Sequence, residues 1–337
     1  MTIKPGKKIT LKDIANILSV TPATVSKALR DTSDISLDMR EKVKAKAKEL
    51  GYRPNLLARS LINNRSKILG ILIPDLRISF FSEAVRGMYE EANRKGYETI
   101  LLIHDENKLI ERKKLEFLSD IHADGILLNA TGHKSNYDIY KKLGEEGIKV
   151  VCWDRKLDGL EYKSVTIDDK KAAFELTSKM ISKGRRHILF LGPNTGIPVA
   201  KDRFEGYKLA LKENNIAFNP DLIVHSFRNF SDSYRKMSSI LKSKIKIDGV
   251  ISIGGVITYG AGKAILESNY NVPKDIMLGE FGDNDIVVRL GVPFYTVFQN
   301  PYQMGKASVD LLLKSIEFNE DFKKPHEVFI DYEILQR

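Results

Sequence analysis

From residue 67 onward, short apolar runs alternate with longer amphipathic segments, and this alternation narrows the possible folds more than any other feature of the chain. ILGILI (68–73), YETILLI (97–103), GILLNA (125–130) and KVVCWD (149–154) have the length and near-continuous apolarity of strands buried on both faces. Amphipathic segments fill the intervals near 81–95, 107–120 and 135–146, so this stretch predicts a doubly wound parallel sheet. After VTIDD (165–169) the pattern returns. HILFLG (187–192), LIVHSF (222–227), DGVISI (248–253) and IMLGEF (276–281) alternate with helical segments near 170–183, 203–214, 232–243 and 258–269. Two such sheets side by side leave a cleft at the carboxyl ends of their strands, where open α/β sheets hold ligands.

The first fifth of the chain has a different character. Residues 1–67 contain fifteen Lys/Arg against six Asp/Glu, so they carry +9 of the formal +10, and the other 270 residues are nearly neutral. A positive module joined to a neutral body suggests a polyanion-binding head, although a solvated lysine-rich helix such as EKVKAKAKEL (41–50) is the plainer source of such charge. The single cysteine, Cys152, rules out an intramolecular disulfide. The basic N-terminus has no apolar core of the secretory kind, and no run of about 18 apolar residues follows. A cytoplasmic protein without a membrane partner is expected.

Within the head, Thr10 and Asp13 have capping-box spacing, and Leu11, Ile14, Ala15 and Leu18 follow at helical spacing. Thr21 can cap a second helix with Pro22 at its first position, and Val25, Ala28 and Leu29 supply a buried side. A third helix starts after Ser36, turns Met39, Val43, Ala47 and Leu50 inward, and ends at Gly51. Three short helices with a tight first turn form a helix-turn-helix, which sets the start of its second helix in the major groove. Pro22, Ala23 and Lys27 would then discriminate sequence, with Thr21, Thr24, Ser26 and Arg30 near bases or phosphates.

The run TLKDIANILSVTPATVSKALRD, continued by GYRPNLLARSL, resembles the helix-turn-helix and hinge of the LacI/GalR family of bacterial transcription regulators. It departs at Ser19, where glycine is common. The resemblance adds Leu11 to the DNA-facing set and implies that Leu61 is a minor-groove wedge supported by Ala58, with Asn55 and Tyr52 near phosphates. A linker helix in which Leu56, Leu57 and Leu61 simply pack is the alternative. The body resembles the same regulators' periplasmic-binding-protein-like effector domain. The implied organisation is a head over 1–53, a hinge over 54–66, a first lobe over 67–165 and 299–324, and a second over 166–298 and 325–337.

No catalytic or phosphate-binding constellation emerges. GGVITYGAGK (254–263) fails as a phosphate loop because Ile257 stands where a glycine is needed and Ala264 where Ser/Thr is needed. The six histidines lack metal spacing, so neither metal nor cofactor is expected. The resemblance implies an effector set of Phe80 and Phe81, Asp154 and Arg155, and Arg203 of RFEGY. The Phe pair reads equally well as helix-start packing. Two departures stand out: Gly254–Gly255 replaces a frequent Asn-Asp pair, and Gly282 replaces a frequent aspartate, with Asp283 one place along. The expectation is a homodimeric repressor whose affinity for a near-palindromic DNA operator responds to a small polar molecule, a sugar or other metabolite, between the lobes. The rival is a solute-binding or enzymatic α/β protein with a basic accessory head.

Overall fold

Apolar periodicity becomes secondary structure in a computed structural model that describes residues 9–52, 65–157, 159–160, 162–192, 198–226, 229–282, 285–318 and 326–337. Two units are distinguished, Met1–Ser66 and Lys67–Arg337.

In the first unit, α1 (Leu11–Leu18), α2 (Pro22–Leu29) and α3 (Leu37–Glu49) enclose a small core of Ile14, Ala15, Val25, Ala28, Val43 and Ala47. Side chains terminate the helices at their N-termini. Thr10 and Asp13 form the reciprocal capping box of α1, Thr21 Oγ1 accepts from Thr24 N (3.1 Å) for α2, and Ser36 Oγ accepts from Met39 N (3.4 Å) for α3. The α1–α2 turn bends at Ser19, whose φ of 56° lies in the left-handed region, and Val20 N closes it on Ala15 O (3.0 Å). A side chain in that conformation costs roughly 1–2 kcal/mol, which glycine would avoid.

The second unit holds two six-stranded sheets. The first is assembled from β1 (Ile68–Ile73), α4 (Ser79–Arg94), β2 (Glu98–Ile103), α5 (Lys108–Asp120), β3 (Gly125–Leu128), α6 (Tyr137–Glu145), β4 (Lys149–Trp153) and β5 (Lys163–Thr166). The second follows from α7 (Asp169–Ser182), β6 (Ile188–Gly192), α8 (Pro198–Glu213), β7 (Ile223–His225), α9 (Phe230–Lys242), β8 (Gly249–Ser252), α10 (Gly255–Leu266), β9 (Met277–Phe281), α11 (Asp285–Val288) and β10 (Phe294–Phe298). Then α12 (Pro301–Glu317) returns to the first lobe, and β11 (Glu327–Phe329) and β12 (Glu333–Gln336) end the chain.

Strand order is β11-β5-β4-β3-β1-β2 in one sheet and β12-β10-β9-β8-β6-β7 in the other, with all pairs parallel except β10–β12. Each order reverses direction at its first strand, β1 or β6, which opens a crevice at the carboxyl edge.

One boundary expectation needs correction. Residues 325–337, which include the run HEVFIDYEIL, were expected to join the second lobe. Instead β11 pairs with β5 in the first sheet, with Ile330 N bonded to Thr166 O (2.8 Å), and only β12 reaches β10. The break falls in Ile330–Asp331–Tyr332, so the chain crosses between lobes there, not near 325. Two further strands, β5 and β10, were absent from the sequence reading. β5 is the polar KSVT, yet it is wholly buried because β4 and β11 cover its two edges.

Candidate functional site

Two regions gather the residues singled out from sequence, one in each unit. In the head, Thr21, Pro22, Ala23, Lys27 and Arg30 are exposed on α2, and Thr24 and Ser26 are half-buried. Pro22 and Ala23 offer hydrocarbon without donors, and the Thr21 and Thr24 hydroxyls are 2.9 Å apart. Lys27 is ion-paired with Asp34, whose carboxyl it holds below the usual range. A base edge must therefore compete with Asp34 for this ammonium. Leu11 and Tyr52 are half-buried against the head core, so their hydrophobic parts anchor helix ends as well as bordering the surface. Asn55, Ala58 and Leu61 lie outside the described residues, as does Asp283.

In the body, one cavity of about 100 Å³ lies where the carboxyl ends of both sheets meet. It brings together Phe80, Phe81, Asp154, Arg155 and Arg203 from three separated stretches of the sequence. The two phenylalanines start α4 behind β1 and also pack on Trp153: Phe80 stacks on it at 6.3 Å and Phe81 meets it edge-on at 5.9 Å. Cavity lining and helix-start packing thus coexist in the same side chains.

Asp154 follows β4 with a φ of 61°, a left-handed conformation that turns its carboxylate toward the cleft end of the sheet. Asn129 Nδ2 donates to Asp154 Oδ2 (3.0 Å) and to Trp153 O (3.2 Å). His104 Nε2 in turn donates to Asn129 O (2.9 Å), since its Nδ1 accepts from Glu106 N. Arg155 is 2% exposed and is gripped by Glu106 through both terminal nitrogens (3.0 and 2.6 Å), with Ala130 O as a further acceptor at 3.1 Å. Burial opposes its charge, and Glu106 more than offsets that, holding the guanidinium above its ordinary value.

Arg203 joins the second lobe's elements. Its Nε donates to Asp169 Oδ1 (2.6 Å), Nη1 to Ile253 O (2.9 Å) and Nη2 to Gln299 Oε1 (3.2 Å), while its plane lies 4.0 Å from the Phe281 ring centre. Burial pushes the Asp169 carboxyl up to about 7 despite this partner. Sequence reading missed Asn129, Gln299 and Phe281. Each sits at the carboxyl end of a strand in an open sheet, and that position is the one signal that could have found them. Among the described residues no group of three metal-ligating side chains occurs, and no helix is long and apolar enough to cross a membrane.

Comparison with known proteins agrees with this geometry. Residues 10–55 match the profile of the bacterial regulatory proteins of the lacI family, and residues 69–320 match the periplasmic binding protein domain. The chain is 32% identical over 329 residues to the HTH-type transcriptional regulator RegA of Clostridium saccharobutylicum, covering 97% of this chain and 98% of the relative. It is 30% identical over 326 residues to the ribose operon repressor of Halalkalibacterium halodurans, covering 96% and 94%. Among solved structures, the lac repressor dimer bound to operator and the anti-inducer ONPF shares the fold at a TM-score of 0.82, with 20% identity and 98% of both chains covered.

Proposed function

This chain belongs to the LacI family of bacterial DNA-binding transcription regulators, and on that footing we propose that it works as a homodimeric, cytoplasmic repressor whose operator affinity is set by a small polar molecule in the interlobe cavity. The observation that carries this reading is the co-occurrence on one chain of a capped, donor-poor recognition helix and a two-lobed body with an arginine-lined cavity. Relatives named as ribose operon repressors support a carbohydrate-sized effector.

In this mechanism α2 enters the major groove. Pro22 and Ala23 read shape and thymine methyls, Lys27 exchanges Asp34 for a base edge, and the remaining hydroxyls and Arg30 hold phosphates. Two heads on a two-fold axis match two half-sites, and Leu61 of the hinge wedges into the minor groove between them. In the body, Arg203 bridges α8, the end of β8 and the segment after β10, so a molecule that contacts it favours one lobe arrangement. A ligand changes operator occupancy only by binding one arrangement more tightly than the other.

The test is selection of bound duplexes from a randomised pool by the full chain, then comparison of the enriched site with a scrambled duplex. An enriched near-palindrome is expected, with affinity falling steeply as salt rises and phosphate contacts release counterions. Equal binding to enriched and scrambled duplexes would remove the regulator reading.

A further inference from the structure

We propose that Asp34 is a specificity-determining residue of the head: when Lys27 leaves it for a guanine, the Asp34 carboxylate accepts a hydrogen bond from a cytosine amino group. The two ends of one ion pair then read two bases. The proposal rests on the reading of α2 as the helix that enters the major groove, and it adds a reader from outside that helix.

Asp34 lies in the connection between α2 and α3, and this connection is tied back to α2. Thr32 donates to Lys27 O through both its amide (3.3 Å) and its hydroxyl (3.1 Å), and Ile35 N closes the next turn on Thr32 O (3.2 Å). Asp34 is thereby held beside the helix, where its Oδ2 pairs with the Lys27 ammonium. The neighbouring aspartates face the other way. Asp31 pairs with Lys44 at 2.6 Å and Asp38 with Lys42 at 2.7 Å, both lysines of α3.

The Lys27 and Asp34 side chains are 47% and 51% exposed, so an incoming duplex can reach both. An ion pair this open is weakly held in water. In the major groove the ammonium finds its acceptors on guanine O6 and N7. Its departure leaves a carboxylate facing a polyanion, and repulsion from the phosphates opposes the exchange unless that carboxylate gains a donor.

An ionised carboxylate only accepts, and the donors that the major groove presents are the amino groups of cytosine and adenine. Adenine sets its N7 acceptor beside the amino group, which repels a carboxylate. Cytosine has no such acceptor on its own edge, so it is the base that suits Asp34. On other sequences the pair stays closed, and Lys27 adds little to the sequence-independent attraction of the head for phosphates.

The experiment selects bound duplexes from a randomised pool with the full chain as wild type, Asp34→Ala, Asp34→Asn and Asp38→Asn, then measures competition by single-base variants of the wild-type site. At one position of each half-site the preference for cytosine should fall by about fivefold or more in Asp34→Ala. In Asp34→Asn the preference at that position should turn to adenine, because an amide pairs with N6 and N7 together. Asp38→Asn removes the same charge from another exposed pair and should keep the wild-type profile. A base profile shared by the wild type and both Asp34 variants, or the same altered profile in Asp38→Asn, would overturn the proposal. A wild type that enriches no site removes the regulator reading and the proposal with it, whereas an enriched site indifferent to Asp34 removes the proposal alone.

Discussion

His104 illustrates how a single buried side chain ties stability to pH in this body. It is wholly buried, and the Glu106 amide pointing at Nδ1 leaves that nitrogen no room for a proton. Burial, outweighing the attraction of Glu111 and Glu106, therefore holds its pKa below the ordinary 6.5. An unfolded chain takes up a proton near 6.5 that the folded chain refuses. The unfolded state then binds more protons as pH falls through that window, so stability is lost below pH 6.5 and is constant with respect to this group above it. We predict that thermal stability of the wild type declines more steeply from pH 6.5 to 5 than that of His104→Gln, which keeps a donor for Asn129 O and does not titrate. Parallel declines in the two proteins would show that His104 is not the source.

At the scale of elements, close backbone approach decides where helices pack. α4 and α12 meet through glycines on both sides: a Cβ on Gly305 would lie 2.1 Å from Ala84 O, and one on Gly87 would lie 2.2 Å from Tyr302 O. The obstacles are main-chain atoms, which cannot rotate away. Gly305→Ala should lower stability of the body by about 1–3 kcal/mol in urea unfolding followed by Trp153 fluorescence. Gly144→Ala in α6, where a Cβ meets nothing within 4 Å, should be neutral or stabilising by up to about 1 kcal/mol. Equal effects at the two positions would refute the packing argument.

The same scale shows what sequence could reveal about elements. The head was legible to the residue, because capping side chains mark helix starts and Ile14, Val25 and Val43 mark the core. The inner parallel strands were legible because both faces are apolar, whereas YETILLI, also expected to be buried on both faces, forms the edge strand β2 and is partly exposed. β5 was not, since KSVT carries no apolar pattern and owes its burial to neighbours far along the chain. β11 and β12 merged into one apolar run, because a chain crossing between two sheets leaves no periodicity of its own.

At the scale of the whole molecule, the cavity depends on pairings that no local pattern carries. Family resemblance pointed to Asp154, Arg155 and Arg203, but it could not show that Glu106 grips one arginine and that Asp169 and Gln299 hold the other. These pairs span 49, 34 and 96 residues. Both arginines are held in the cavity wall by these partners, and the loop between β8 and α10 is tied to Arg203 through Ile253 O. Trp153 is fully buried against Phe80 and Phe81, two residues of the cavity wall, so its emission should change when the cavity is occupied.

That reporter allows the central claim, that cavity occupancy and operator affinity are one equilibrium, to be measured in a single titration. Effector is added to the full chain with fluorescently labelled operator present, and Trp153 emission and operator anisotropy are followed together. The two signals should share one half-saturation point, with operator affinity changing by about 5- to 150-fold at saturation, the range of typical coupling between linked sites. Saturation of the Trp153 signal with operator affinity unchanged would contradict the account.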